Sequence, residues 1–120
     1  MNIATQSQGF ETTRAIDQFA RDAVHSALRQ FSENVVAVDI HMKDTNGPKG
    51  GVDKHVVIRV RLRSRQVVML EARHENLYAA LKAGSKRIRR AVRRHLRKAR
   101  HIQKVRMSGR LPVSAMRTVT

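Results

Sequence analysis

Eight cationic side chains recur every three or four residues near the C-terminal end of the chain: Lys82, Lys86, Arg89, Arg90, Arg93, Arg94, Arg97 and Lys98. At helical spacing they share one side of a helix, over roughly 25 Å of axis at about 1.5 Å per residue. The chemistry open to such a set is recognition of phosphate or carboxylate. Arginine offers a planar, bidentate fork and lysine a compact point charge. From Asn76 to Thr120 there is no Asp or Glu, and that segment holds 14 of the 25 Lys and Arg residues. The first 75 residues hold the other 11 against all nine acids. Like charges three or four apart on a helix repel by a few tenths of a kcal/mol per pair. A face kept only for solubility mixes its signs; this one does not. The partner expected is a polyanion, with nucleic acid ahead of an anionic membrane surface. Arg21 and Arg29, on an earlier helical segment, are expected to extend the footprint.

Other chemistries find little support. Ser85 and His95 do not make a nucleophile–base arrangement, and no paired carboxylates, P-loop or GxGxxG are present. An enzyme, a cofactor and a small-molecule substrate are therefore not expected. His41 and His55, with Asp39 and Asp53 nearby, could approach each other on one sheet face, but exposed strand residues are the better reading, and no metal site is expected. Asp39 opposite Arg59 reads as a cross-strand ion pair. Phe10, Phe19 and Phe31 fit core positions, and Tyr78 fits the helix base with its hydroxyl at the surface. Without a row of aromatics to stack bases, the chain should read nucleic-acid shape and backbone rather than sequence.

These residues need a scaffold, and 120 residues with 41% hydrophobic content suffice for one domain with a modest core. There is no cysteine, so neither disulfide nor thiolate metal site is available. The first ten residues, MNIATQSQGF, lack the charged start and apolar run of a secretory signal, and no stretch is apolar enough for a membrane span. A cytoplasmic protein that does not enter membranes is expected.

Residues 2–8 alternate weakly, as a short strand would. Gly9 marks a break. Thr12 or Thr13 can cap a helix over Arg14–Phe31, whose apolar residues Ile16, Phe19, Ala20, Ala23, Ala27, Leu28 and Phe31 form one stripe. Val35–Lys43 alternates, with Val36, Val38, Ile40 and Met42 inward. Residues 44–51, DTNGPKGG, form a loop. Val52–Arg63 and Gln66–Arg73 alternate again around a turn at Ser64–Arg65, giving antiparallel pairs. Asn76 can cap the last helix, whose inward stripe is Leu77, Leu81, Gly84, Ile88, Ala91, Val92, Leu96 and Ala99. The order β-α-β-β-β-α gives an α+β fold: a four-stranded mixed sheet with two helices on one face and the other face open. Residues 1–100 make the domain. Residues 101–120, with Gly109 and Pro112, read as a basic tail expected to be flexible.

With these elements in place, the sequence resembles the ribosome hibernation-promoting factor and ribosome-associated translation inhibitor family, also called the sigma-54 modulation family. The resemblance rests on Met1-Asn2-Ile3, on Gly9-Phe10-Glu11-Thr12, and above all on Asn76-Leu77-Tyr78-Ala79-Ala80-Leu81 leading into a basic helix with Arg90, Arg94, His95 and Lys98. It covers about residues 1–100. It implies binding to rRNA of the small ribosomal subunit, in the channel used by mRNA and tRNA, as a translation inhibitor active in stress. It also implies a short form, expected to be monomeric, because residues 101–120 are too few for the dimerisation domain of the long form. The sequence departs from the family at Arg63-Ser64-Arg65, where a glycine-rich turn is usual, and in the long loop at 44–51. The alternative is a general module for structured RNA or DNA, without ribosome preference.

Overall fold

Asn2–Gln8 forms strand β1, at one edge of a four-stranded sheet ordered β1-β2-β3-β4. The computed structural model describes residues 1–44 and 54–108, the side chains of 102–108 excepted. Strand β2 is Val35–Asp44, β3 is Lys54–Leu62 and β4 is Val67–His74. β1 pairs parallel to β2, with Ile3 beside Val38, while β2–β3 and β3–β4 are antiparallel. Helix α1, Arg14–Leu28, joins the parallel pair and passes into a single 3-10 turn at Arg29–Phe31. Helix α2 is Leu77–Ser108. The α+β architecture and the element order are those expected from the alternation and the stripes.

Local chemistry sets the boundaries. The Thr13 hydroxyl accepts a hydrogen bond from the Ile16 N–H at 3.1 Å, closing the start of α1. The Asn76 carboxamide oxygen accepts from the N–H groups of Tyr78 (2.9 Å) and Ala79 (3.3 Å), doing the same for α2. Gly9 ends β1 with φ +87°, and a Cβ there would lie 2.4 Å from the Asp44 carbonyl oxygen. Both facts require glycine. α2 continues for eight residues past Arg100, because nothing before Gly109 breaks it although its apolar periodicity has ended. The rest of the expected tail, 109–120, and most of the expected loop, 45–51, lie outside the described residues.

The core lies between the helices and one sheet face. Ala20, Val24 and Leu28 from α1 and Leu77, Ala80, Leu81, Ile88 and Val92 from α2 meet Val38, Ile40, Met42, Val56, Ile58, Val60 and Leu62. Phe10, Phe19 and Phe31 are partly buried against it, as expected. Gly84 brings α2 onto the sheet. A Cβ there would stand 3.1 Å from the Ile58 Cδ1 and 3.6 Å from the Ala72 Cβ. Two expectations are corrected. The pairing register shifts between Val35 and Ala37, so Val35 is buried at 2% exposure while Val36 turns outward at 49%. A bulge puts two residues opposite one and so reverses the facing of the strand's first residue. Ala99 is exposed, because the buried stripe of α2 ends at Val92 with Leu96 half covered.

Polar groups tie the helices to the sheet edges. The Thr5 hydroxyl of β1 donates to the Asp17 carboxylate of α1. The other Asp17 oxygen pairs with Arg21 Nε at 3.0 Å, and Arg21 Nη1 donates to the Ile3 carbonyl at 2.6 Å. These partners hold the Asp17 carboxyl below its ordinary pKa, the Thr5 hydrogen bond first and Arg21 next. At the opposite edge, Arg87 Nη1 of α2 donates to the Glu71 carbonyl of β4 at 2.8 Å. Each edge strand thus has one carbonyl closed by an arginine, which blunts it against pairing with another chain.

Candidate nucleic-acid interface

The interface is built on α2, because its buried stripe fixes which way the remaining side chains point. Lys82, Lys86, Arg89, Arg90, Arg94, Arg97 and Lys98 are exposed, and Arg93 is half-buried. The eight do not form a single flat face; they divide over two flanks. Lys82, Lys86 and Arg89 rim a groove between α1 and α2 of about 570 Å³, whose opposite wall carries Phe19, Asp22, Ala23, Ser26 and Ala27. Farther along the same flank, Arg93, Arg97 and Arg100 surround a cleft with Gln30, Phe31 and Asn34. On the other flank, Arg94 and Lys98 lie with Ala91 and His95 over Val67, Val68 and Met69 of β4. There His95 Nε2 meets the Gln66 carboxamide oxygen. By helical position, Arg90 stands on the crest between the two flanks.

Charge on this helix is almost unopposed. Among the described residues, the ion pairs are Arg21–Asp17, Lys54–Asp44, His55–Glu71 and Arg73–Glu71, and none involves an α2 cation. The neutral partners on α2 are few: Arg89 Nη2 reaches Gln30 Oε1 at 3.5 Å, and Arg87 is spent on the Glu71 carbonyl. Of the remaining cations, Lys82, Lys86, Arg90, Arg94, Arg97 and Lys98 are exposed to solvent.

The two expected contributions from α1 differ. Arg29 is exposed at the start of the 3-10 turn whose Gln30 and Phe31 line the distal cleft, but it does not line that cleft itself. Arg21 is committed to Asp17 and the Ile3 carbonyl, away from them. Two arginines absent from the expected set belong to the region: Arg100, which lines the distal cleft, and Arg87, which fixes α2 to β4. Arg100 was legible from its three-residue spacing after Arg97.

On the open sheet face, Asp39 stands opposite Arg59 in the register, but no ion pair forms between them. His55 does not turn toward His41; its Nδ1 lies 3.0 Å from Glu71 Oε1, which Arg73 Nε also reaches at 2.8 Å. Arg73 first and His55 second lower the Glu71 pKa. No group of three or more metal-ligating side chains occurs among the described residues. Tyr78 is 42% exposed and packs edge-on against Phe19, with ring centroids 4.8 Å apart, as its place at the helix base suggests. No helix among the described residues is long and apolar enough to cross a membrane.

Residues 3–100 match the family model described as Sigma 54 modulation protein / S30EA ribosomal protein. Among solved structures, the fold is similar to the Protein Y N-terminal domain of Thermus thermophilus, with a TM-score of 0.65 at 21% identity. That match covers 79% of this chain and 99% of the other. A ribosomal subunit interface protein from Coxiella burnetii superposes with a TM-score of 0.69 at 14% identity, covering 79% and 97%. At these identities the likeness is one of fold. No curated protein sequence matches the chain.

Proposed function

Because the chain belongs to the Sigma 54 modulation protein / S30EA ribosomal protein family, we propose that it is a ribosome-binding hibernation factor. It docks on rRNA of the small subunit, in the channel that mRNA and tRNA use, and keeps the ribosome idle. The contact surface is the cationic part of α2, with Lys82, Lys86, Arg89, Arg93 and Arg97 along the groove flank, Arg94 and Lys98 along the β4 flank, and Arg90 between. Arg29 adds to the distal end, and Arg21 supports the surface by holding α1 on β1. The chain acts as a monomer and by occlusion, so the reading calls for no catalytic step and no cofactor.

One observation carries the proposal. α2 concentrates cations without a single acid, and none of them is neutralised by an ion pair among the described residues. The phosphate backbone of RNA is the partner that matches such a surface, through charge-assisted hydrogen bonds and counterion release. The family model is described as one of a ribosomal protein, and the Coxiella protein of similar fold is named for the ribosomal subunit interface, which supports the choice of ribosomal RNA over bulk RNA.

The test is co-sedimentation of the purified chain with ribosomal subunits through a density gradient, with excess unrelated duplex RNA as competitor. The chain should travel with the small subunit despite the competitor. If competitor or a modest rise in salt strips it off, the chain is a general polyanion binder and the ribosomal assignment fails.

A further inference from the structure

The cations of α2 are not the whole cationic surface. Arg59, Arg61, Arg63 and Arg65 recur at every second position along β3 and into the turn before β4. All four are exposed. Arg59 and Arg61 alternate with the buried Ile58, Val60 and Leu62, so they stand on the open face of the sheet, the face opposite the helices. Arg61, Arg63 and Arg65 surround a hollow of about 340 Å³ with Val36, the residue that the β2 bulge turns outward.

Three features separate this line from an ordinary solvated strand. None of the four forms an ion pair among the described residues, and Arg61 lies in register between Ala37 and Val67, which offer no counter-charge. All four are arginine, the cation whose fork matches phosphate in two hydrogen bonds. Arg65 has φ +72°, in the left-handed region where glycine or asparagine is the easy choice. A side chain is kept there against the preference of the backbone. Arg59 and Arg61, alternate residues of β3, lie about 6.6 Å apart, close to the separation of neighbouring phosphates on an extended strand, and Arg63 and Arg65 continue the line from the turn.

From this we infer a second RNA-backbone contact surface on the open sheet face, formed by Arg59, Arg61, Arg63 and Arg65, so that one chain holds two RNA segments on opposite sides. The inference rests on the reading of α2 as an RNA-binding helix and extends it from one face to two. Val67 and Met69, exposed beside Arg61 and Arg59, form an apolar strip that a protein partner could use instead. Asp39 faces Arg59 in the register without pairing to it, but no acid faces Arg61 or lines the hollow of Arg61, Arg63 and Arg65, and this favours RNA.

The test uses the full chain and two short hairpin RNAs carrying different fluorophores. With hairpin in excess, the wild-type chain should bring both into one complex, read as energy transfer between the labels. R61Q/R63Q/R65Q should lose that transfer while still binding one hairpin. Its log K against log salt should also flatten by about 2.7 for three lost phosphate contacts, at about 0.9 each. R61K/R63K/R65K keeps the charge and should retain most of the slope, which separates loss of contact from loss of fold. Unchanged transfer and slope in the glutamine variant would overturn the inference. So would an unchanged RNA slope combined with lost ribosome co-sedimentation, which would assign the face to a protein. Failure of the α2 reading is distinguishable: it would show as unaltered hairpin binding when Lys86, Arg93 and Arg97 are neutralised.

Discussion

Neutralising one flank of α2 gives the sharpest check on the proposed interface. Lys86, Arg93 and Arg97 lie along the side that faces α1, and none takes part in an ion pair that holds the fold. If all eight α2 cations meet phosphates, the slope of log K against log salt for the helix surface is about −7, at about −0.9 per contact. Between 50 and 200 mM salt, a slope of that size means an affinity loss of about 10⁴-fold. In K86Q/R93Q/R97Q five contacts remain, so the slope should be about −4.5 and the loss over the same range about 500-fold. Fluorescence anisotropy with a labelled structured RNA, titrated at four salt concentrations, reads both numbers. Thermal unfolding should be unchanged or slightly improved, because removing like charges relieves repulsion. A variant that binds more weakly with an unaltered slope refutes the reasoning. Its loss would then come from fold or shape, not from phosphate contacts.

Further expectations concern the parts that hold this helix in place. Arg21→Ala should lower stability by about 1 kcal/mol, by removing the hydrogen bond to the Ile3 carbonyl and a partly screened ion pair, and should leave RNA affinity within about twofold; chemical denaturation and anisotropy together check this. Gly9→Ala should cost about 2 kcal/mol or more, because the new Cβ meets the Asp44 carbonyl oxygen at 2.4 Å and φ is +87°. Gly84→Val should cost about 2 kcal/mol by pushing α2 off Ile58, and an added Ile58→Val should recover part of it in the same denaturation assay. Asp17 has a lowered folded-state pKa, so its stabilisation is complete above its ordinary value of 3.8 and fades as pH falls through the lowered one. Melting temperature should therefore drop on acidification below about pH 4, and less steeply in Asp17→Asn.

The sequence made the elements legible wherever a buried face imposed a period. Ile88 and Val92 on α2, and Val56, Ile58 and Val60 on β3, are all fully buried where their spacing places them. What periodicity could not show are features set by a single residue or by neighbours distant in the chain. The bulge at Val35–Ala37 breaks the alternation by one position, and an uninterrupted run of Val-Val-Ala-Val carries no mark of it. The clasp of Thr5, Asp17 and Arg21 joins residues that only the fold brings together, so Arg21 reads from sequence as one more surface cation. The division of the α2 cations into two flanks depends on where α1 and β4 lie, which the wheel of one helix does not contain. The end of α2 was hidden for the opposite reason: apolar spacing stops near Ala99, but helical backbone needs only the absence of a breaker, and none comes before Gly109.

The same contrast explains how so much like charge can be held on one helix. The eight cations make nine neighbouring pairs, three at a spacing of three residues and six at four. At 0.2–0.5 kcal/mol each they oppose the helix by about 2–4 kcal/mol. Leu77, Leu81, Ile88 and Val92 are buried on the other side, at about 1.5–3 kcal/mol apiece, so their contribution of about 6–12 kcal/mol exceeds the repulsion. Burial therefore holds α2 in place as far as Val92, while cations continue through Arg100. From Arg97 to His101 every residue is exposed, so this stretch has repulsion to overcome and no core to lean on. A polyanion lying along the cationic side reverses the sign of that electrostatic term, so binding should stabilise most the stretch that folding stabilises least. The hydrophobic stripe fixes the direction of the arginines as far as Val92, and on the proposed reading bound RNA would stabilise the stretch that follows.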